Sequence, residues 1–230
     1  MKTIGLIGGI TWQSTMEYYR FLNQETKKRL GGAHSAQIVM YSFDWEEING
    51  LRASGNFDKV GGRLAEEAIK LESIGADLIL LGANTAHKFA KEVADAVSVP
   101  LIHIADATGE EIKTQGLKKV LLLGTKYTMQ EDFISGKLKR DFDIEVMVPK
   151  KRDLQEVSRI IFEELVDGRF LESSKNFLLG LIGKMKNDGI EGVILGCTEL
   201  PLIIKPEDTI LPLFDTTLLH AKAAVEFVNQ

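Results

Sequence analysis

Gly189-Ile190-Glu191-Gly192-Val193-Ile194-Leu195-Gly196-Cys197-Thr198-Glu199-Leu200-Pro201 is the stretch whose reading decides the fold. Val193 to Leu195 is a short apolar run bounded by glycines, the pattern of a buried strand. It enters a glycine turn and presents Cys197, the only cysteine of the 230-residue chain, at its carboxyl end. Open α/β sheets bind their ligands at that end of the strands. On its own, a lone cysteine is more often a small buried apolar residue than a reactive one.

The same grammar occurs earlier, in Gly75-Ala76-Asp77-Leu78-Ile79-Leu80-Leu81-Gly82-Ala83-Asn84-Thr85. Gly189 follows Gly75 by 114 residues, and the same offset aligns Asp77 with Glu191, Gly82 with Gly196 and Ala83 with Cys197. Lys2-Thr3-Ile4-Gly5-Leu6-Ile7-Gly8 likewise resembles Lys118 to Gly124, at an offset of 116. Such self-similarity predicts two related halves facing one another across a cleft.

The length fits one large domain or two of about 110 residues. A chain 44% hydrophobic and 27% charged has an ordinary globular composition. Its net charge of −5 gives no electrostatic footprint for nucleic acid. Lys27-Lys28-Arg29 and Lys150-Lys151-Arg152 read as solvated surface. One cysteine excludes an internal disulfide, and no Cys/His spacing suggests zinc or another metal. The first residues lead straight into a strand, so no signal peptide is expected, and no apolar run approaches the roughly 18 to 20 residues of a membrane span. A cytoplasmic protein without a membrane partner is expected.

Taken in order, Ile4 to Ile7 is a strand ending at Gly8-Gly9, followed by a helix with Met16, Tyr19 and Leu22 on one face. The turn lacks the G-x-G-x-x-G spacing of dinucleotide sites. Ile38 to Phe43 reads as a strand and Asp44 to Gly55 as a loop or short helix. Arg52 there is either plain surface or a carboxylate clamp. Val60, Leu64, Ala68 and Leu71 mark a helix that ends at Gly75 and feeds strand Leu78 to Leu81. Asn84 and Thr85 are good caps for a helix to Val97, with His87 as either a capping neighbour or a hydrogen-bonding group of the cleft. Leu101 to Ile104 reads as a strand, with His103 packed in the core. The second half repeats the plan, with strands Val120 to Leu123, Ile144 to Val148 and Ile210 to Phe214. Helices cover Asp106 to Gln115, the Met129–Phe133–Leu138 segment, Asp153 to Gly168 and Leu171 to Asn187, and a last helix is striped by Leu219, Ala223 and Phe227. Thr125 and Thr128 end one strand and open a helix, a combination suited to an anion. Strands apolar on both faces and alternating with helices mean parallel sheets covered on each side. The expected class is α/β, with two pseudosymmetric Rossmann-like domains of parallel strands: residues 1–102 with 213–230, and residues 103–212.

Gly8-Gly9-x-Thr11-Trp12-x-Ser14-Thr15, Asn84-Thr85-Ala86-His87 and Gly196-Cys197-Thr198-Glu199, in this order, resemble the aspartate/glutamate racemase superfamily, and within it the aspartate and broad amino-acid racemase branch. The resemblance extends over the whole chain, through His103-Ile104-Ala105-Asp106-Ala107-Thr108 and Leu123-Gly124-Thr125-Lys126-Tyr127-Thr128. It implies two pseudosymmetric α/β domains with an active-site cleft between them, commonly a homodimer, working on a small amino acid or other small acid without pyridoxal phosphate, any other cofactor or a metal. Racemisation removes a proton from Cα on one face and returns one on the other, so two acid/base groups are needed. In the family these are two cysteines. Cys197 matches one, with its thiolate expected to be made accessible by a helix amino terminus. The resemblance further implies substrate contacts from Gly9, Ile10, Thr11, Arg52, Asn84, Thr85, Thr125, Thr128, Thr198 and Glu199. Glu199 either receives the ammonium or orients its neighbours.

Two departures stand out. The family's first cysteine falls at Ala83, which can neither give nor take a proton, so Thr85, His87 or a held water must serve that face if racemisation is retained. Glu163 falls where aspartate-specific members carry a lysine for the distal carboxylate. The expectation is a cofactor-independent amino-acid racemase acting on aspartate or glutamate with Cys197 as one acid/base. The alternatives are a single-cysteine decarboxylase similar to the arylmalonate decarboxylases, and a catalytically impaired binding protein for acidic metabolites.

Overall fold

The computed structural model describes residues 1–230, which divide into two compact units: Met1–His103 with His220–Gln230, and Ile104–Leu219. Residues 213–219 belong to the second unit, whereas the sequence reading assigned them to the first. Strand pairing is the reason, because Leu213–Asp215 hydrogen-bonds alongside Gly192–Gly196.

The first unit runs β1 (Ile4–Gly8), α1 (Trp12–Leu30), β2 (Ile38–Ser42), α2 (Trp45–Ala53), α3 (Phe57–Ser73) and β3 (Leu78–Leu81). A 3-10 segment, Asn84–Phe89, then leads into α4 (Ala90–Ala96). Its sheet is parallel, in the order β2-β1-β3. The strand expected over 101–104 shrinks to one bridging residue, Leu101 beside Ile79, because Ile104 already opens a helix.

The second unit runs α5 (Ile104–Thr114), β4 (Lys119–Gly124), α6 (Lys126–Gln130), α7 (Asp132–Phe142), β5 (Glu145–Met147) and α8 (Lys151–Ile160). After a π-helical turn over Ile161–Leu165 come α9 (Glu172–Asn187), β6 (Gly192–Gly196), α10 (Leu200–Ile203) and β7 (Leu213–Asp215). The last helix, α11 (Thr216–Val228), carries the chain back into the first unit at His220. This sheet is also parallel, in the order β5-β4-β6-β7. In each unit the first strand lies between the second and the third, which is the structural content of the sequence repeat.

Both faces of β1, β3, β4 and β6 are buried. In the first unit Ile7, Ile79 and Leu81 pack beneath α3 and α4, while Ile4, Leu6, Leu78 and Leu80 pack against α1 and the end of α11. In the second, Leu121, Leu123, Val193 and Leu195 face α8 and α9, while Val120, Leu122 and Ile194 face α5 and α7. Strands covered on both faces read as continuous apolar runs, which is why these four were legible. No helix is long and apolar enough to cross a membrane.

Two helical stripes are out of phase with the sequence reading. In α1 the buried face is Ser14, Thr15, Tyr18, Leu22 and Thr26, and Met16 and Tyr19 point outward. In α11 the buried apolar residues are Ala221, Ala224, Val225 and Val228, with the larger Leu219 and Phe227 at the margin. Periodicity specifies a helix, but side-chain size does not specify which of two apolar faces goes inward.

The polar residues buried under α1 close the turn that follows β1. Gly9, at φ +81°, approaches the Phe43 backbone so closely that a β-carbon would sit 2.2 Å from its carbonyl oxygen. Only glycine tolerates both conditions.

His220 secures the end of the chain in this unit. Its Nε2 faces the Ile102 carbonyl at 2.8 Å, and because a carbonyl only accepts, Nε2 carries the proton. Nδ1 is therefore the acceptor for the Tyr18 hydroxyl, also at 2.8 Å. Burial holds this imidazole down at a pKa of about 4 against a usual 6.5, so the folded protein keeps it neutral. The unfolded chain takes up a proton below pH 6.5 and the folded chain resists doing so until about pH 4, so acid favours unfolding across that window. His87, also buried and held below its usual range, acts in the same direction. Urea denaturation is expected to show stability falling from pH 7 to pH 4.5, with about 2 to 3 kcal/mol of the loss due to His220. The variant His220→Gln should start less stable at neutral pH and lose less over the same range.

Candidate active site

The candidate residues lie at the carboxyl ends of the strands in both units. Gly196 ends β6 where β4 passes so close that a β-carbon on it would meet the Leu123 carbonyl oxygen at 2.9 Å. The chain turns there, and Cys197, Thr198 and Glu199 follow before the short α10. Thr216 donates a 3.0 Å hydrogen bond to the Leu195 carbonyl and thereby ties the start of α11 to this end of β6. Sequence reasoning missed Thr216, because its partner is 21 residues away and the bond leaves no local pattern.

Cys197 is partly exposed and packs against the apolar cluster under α8 and α9. Its sulfur donates to Glu199 Oε2 at 2.8 Å, and the Thr198 hydroxyl donates to the same oxygen at 2.8 Å. The backbone amides of Thr198 and Glu199 favour a thiolate, as the sequence suggested. They are outweighed. Burial, followed by the charge and the acceptor oxygen of Glu199, pushes the thiol well above its ordinary range. The expected help from a helix dipole is also weak, since α10 has four residues where a full macrodipole needs several turns. The resting sulfur is therefore a thiol, a proton donor hydrogen-bonded to a carboxylate.

Thr125 and Thr128 lie at the end of β4 in the same unit. Thr125 caps α6, accepting from the Thr128 amide at 3.3 Å, and the two hydroxyls are 3.0 Å apart. This hydroxyl already has a structural task, so the anion site expected from Thr-x-x-Thr is reduced to what the remaining amides and lone pairs provide.

In the first unit, Ala83 follows β3 in extended backbone and is 5% exposed. The Gly82 amide donates to the Ile7 carbonyl at 2.7 Å, and Ser14 donates to the Gly82 carbonyl at 2.6 Å. The Gly9 amide donates to Thr15 Oγ1 at 2.7 Å, and that hydroxyl reaches the Thr11 carbonyl at 3.0 Å. The turn carrying Gly9, Ile10 and Thr11 and the segment carrying Ala83 and Asn84 are thus braced together through α1. Ser14 and Thr15 were read only as motif letters; their bracing role depends on the third dimension. Ile10 and Asn84 are buried, while Thr11 and Thr85 are partly exposed.

His87 is only 2% exposed. Its Nδ1 donates to the Ala83 carbonyl at 3.0 Å, and Nε2 is buried with no hydrogen-bond partner. His103 and His220 approach it edge-on, with ring centroids at 4.7 and 5.2 Å. Burial first, then the two neighbouring imidazoles, keep it neutral. His103 is half-buried at the margin of this cluster, where the sequence reading had it in the core. Arg52 lies at the end of α2 with its guanidinium 5.3 Å from the centre of the Trp45 ring. Glu163 projects from the π-helical turn, 3.6 Å from Arg159, which also holds the buried Glu164 at 2.8 Å.

The Asp/Glu/Hydantoin racemase family model matches residues 7–224. The broad specificity amino-acid racemase RacX of Bacillus subtilis (strain 168) is 27% identical over 168 residues, covering 73% of this chain and 72% of that one. An aspartate racemase homologue from Pyrococcus horikoshii OT3 superposes with a TM-score of 0.90 at 38% identity, and an Asp/Glu racemase candidate from Yersinia pestis with a TM-score of 0.96 at 45% identity. Both superpositions cover all of each chain.

Proposed function

Since the chain belongs to the Asp/Glu/hydantoin racemase family, we propose that it is a cofactor-independent amino-acid racemase that moves the Cα proton with Cys197, acting on aspartate or glutamate. The observation that supports the reading is the contact of the Cys197 thiol with Glu199 at the end of β6, a hydrogen bond from a sulfur on a partly exposed residue. As a thiol Cys197 delivers a proton to a carbanion; as a thiolate it removes one. Backbone amides at the end of β6 stabilise charge developing on the substrate carboxylate, while the Thr198 hydroxyl is committed to Glu199. Thr125, Thr128, Gly9, Ile10, Thr11, Asn84 and Arg52 complete the binding set by family resemblance.

Ala83 offers no proton, so the second face is served by the Thr85 hydroxyl or a held water, with His87 fixing the Ala83 carbonyl. One thiol paired with a weaker group has a kinetic signature. Cys197 removes and returns hydrogen on its own face more often than inversion is completed. A cytoplasmic homodimer completes the reading, supported by the family resemblance and by a lone cysteine that must stay reduced to carry a proton.

The pairing of Ala83 with a protonated Cys197 also favours a second reading, single-thiol decarboxylation, in which carbon dioxide leaves from one face and Cys197 protonates the other. Chiral chromatography after incubation with each enantiomer of aspartate, glutamate and other common amino acids, beside carbon dioxide release from substituted malonates, separates the two. Formation of the mirror-image amino acid supports racemisation. Carbon dioxide release without any mirror-image product replaces it with the second reading.

A further inference from the structure

The chain buries three glutamates, Glu67, Glu164 and Glu199. Glu67 is met by Arg63 and Lys70 at 3.2 and 2.8 Å, and Glu164 by Arg159 at 2.8 Å. Glu199, 5% exposed, forms no ion pair, and the hydrogen donors it has are the Cys197 thiol and the Thr198 hydroxyl, both on Oε2. A buried carboxylate without a cation is costly and calls for one. The first two glutamates show what this protein supplies when the role is structural.

We propose that the missing cation is the α-ammonium of the substrate, received by Glu199, and that this ion pair is what releases Cys197 to act as a base. The proposal rests on the amino-acid racemase reading and deepens it. In the free protein a thiolate at Cys197 would be withdrawn from water and would face a carboxylate oxygen 2.8 Å away, so the sulfur keeps its proton. An ammonium against Glu199 offsets that charge; the thiol then loses its proton to solvent, and the Sγ lone pair so exposed is available to Cα–H. The substrate's nitrogen and Cα are one bond apart, so anchoring the ammonium on this carboxylate brings Cα to the sulfur. A hydroxy acid or a malonate brings only further negative charge and leaves the thiol protonated. Glu199 thus selects amino acids and couples their binding to the readiness of the sulfur.

With one cysteine in the chain, thiolate absorbance near 240 nm, taken as the difference from Cys197→Ser, reports this sulfur alone. Its pH midpoint is to be measured with saturating aspartate, glutamate or alanine, and with succinate or malonate. Amino acids are expected to lower the midpoint, giving about tenfold more thiolate at fixed pH, and the amine-free acids to leave it in place or raise it. In Glu199→Gln the free protein should show more thiolate than the wild type. There amino acids should produce no further shift, and their affinity should fall about tenfold or more while that for succinate is unchanged or improved. Equal shifts from amino acids and amine-free acids, no shift from any amino acid, or a full amino-acid shift in Glu199→Gln would each overturn the proposal. An amino-acid shift without mirror-image product would sink the racemase reading and leave the ammonium site standing.

Discussion

Cys197→Ala is expected to lower exchange of the substrate's Cα hydrogen by about 10³-fold or more while leaving the protein folded. General acid or base groups contribute about 10²- to 10⁴-fold to reactions in which proton transfer is one part. Here proton transfer is the whole reaction, and the chain has one thiol. The side chain is partly exposed at the edge of the cluster under α8 and α9, so losing its sulfur costs about 1 kcal/mol. Proton NMR of the substrate, beside urea denaturation of the variant, checks both halves. Cys197→Ser should be almost as inactive, because a hydroxyl is far weaker as an acid than a thiol. A variant that exchanges at the wild-type rate would remove Cys197 from the chemistry.

The second large effect runs the other way. Ala83→Cys is expected to raise the rate of mirror-image product by about 10²-fold, with a smaller change in Cα exchange. Ala83 lies just past β3 as Cys197 lies just past β6, and its backbone is extended at φ −157° and ψ 144°, which any residue adopts. A sulfur there adds volume at a nearly closed position, so a loss of about 1 kcal/mol in stability accompanies the gain. The quantity to follow is the ratio of inversion to exchange. In the wild type exchange should exceed inversion, because one strong acid/base works a single face; with two thiols the ratio should approach unity. A folded Ala83→Cys protein with an unchanged ratio would show that the second face is served from elsewhere.

The contrast between these two positions was legible in the amino-acid order. The offset of 114 residues pairs Gly82-Ala83 with Gly196-Cys197, and buried parallel strands announce themselves as apolar runs between glycines. The protonation state of the sulfur was not legible. A helix amino terminus after Cys197 predicts a thiolate, and the outcome is reversed by burial first and then by the Glu199 side chain folding back over two residues, with α10 too short to offset them. His220 was equally silent. Its acceptor, Ile102, is 118 residues away, so its role emerges only once the chain end docks. Met16 and Tyr19 misled for the converse reason: large and apolar, they lie on the outer face of α1, while the smaller Ser14 and Thr15 go inward to brace a turn.

The most direct test of the central claim is deuterium at Cα. Wild-type protein in D₂O, given each enantiomer of aspartate, glutamate and the other common amino acids in turn, should place deuterium on Cα of at least one, with configuration retained faster than it is inverted and with the signal lost in Cys197→Ala. Unlabelled Cα across the whole set, or labelling that survives the loss of Cys197, would contradict the account.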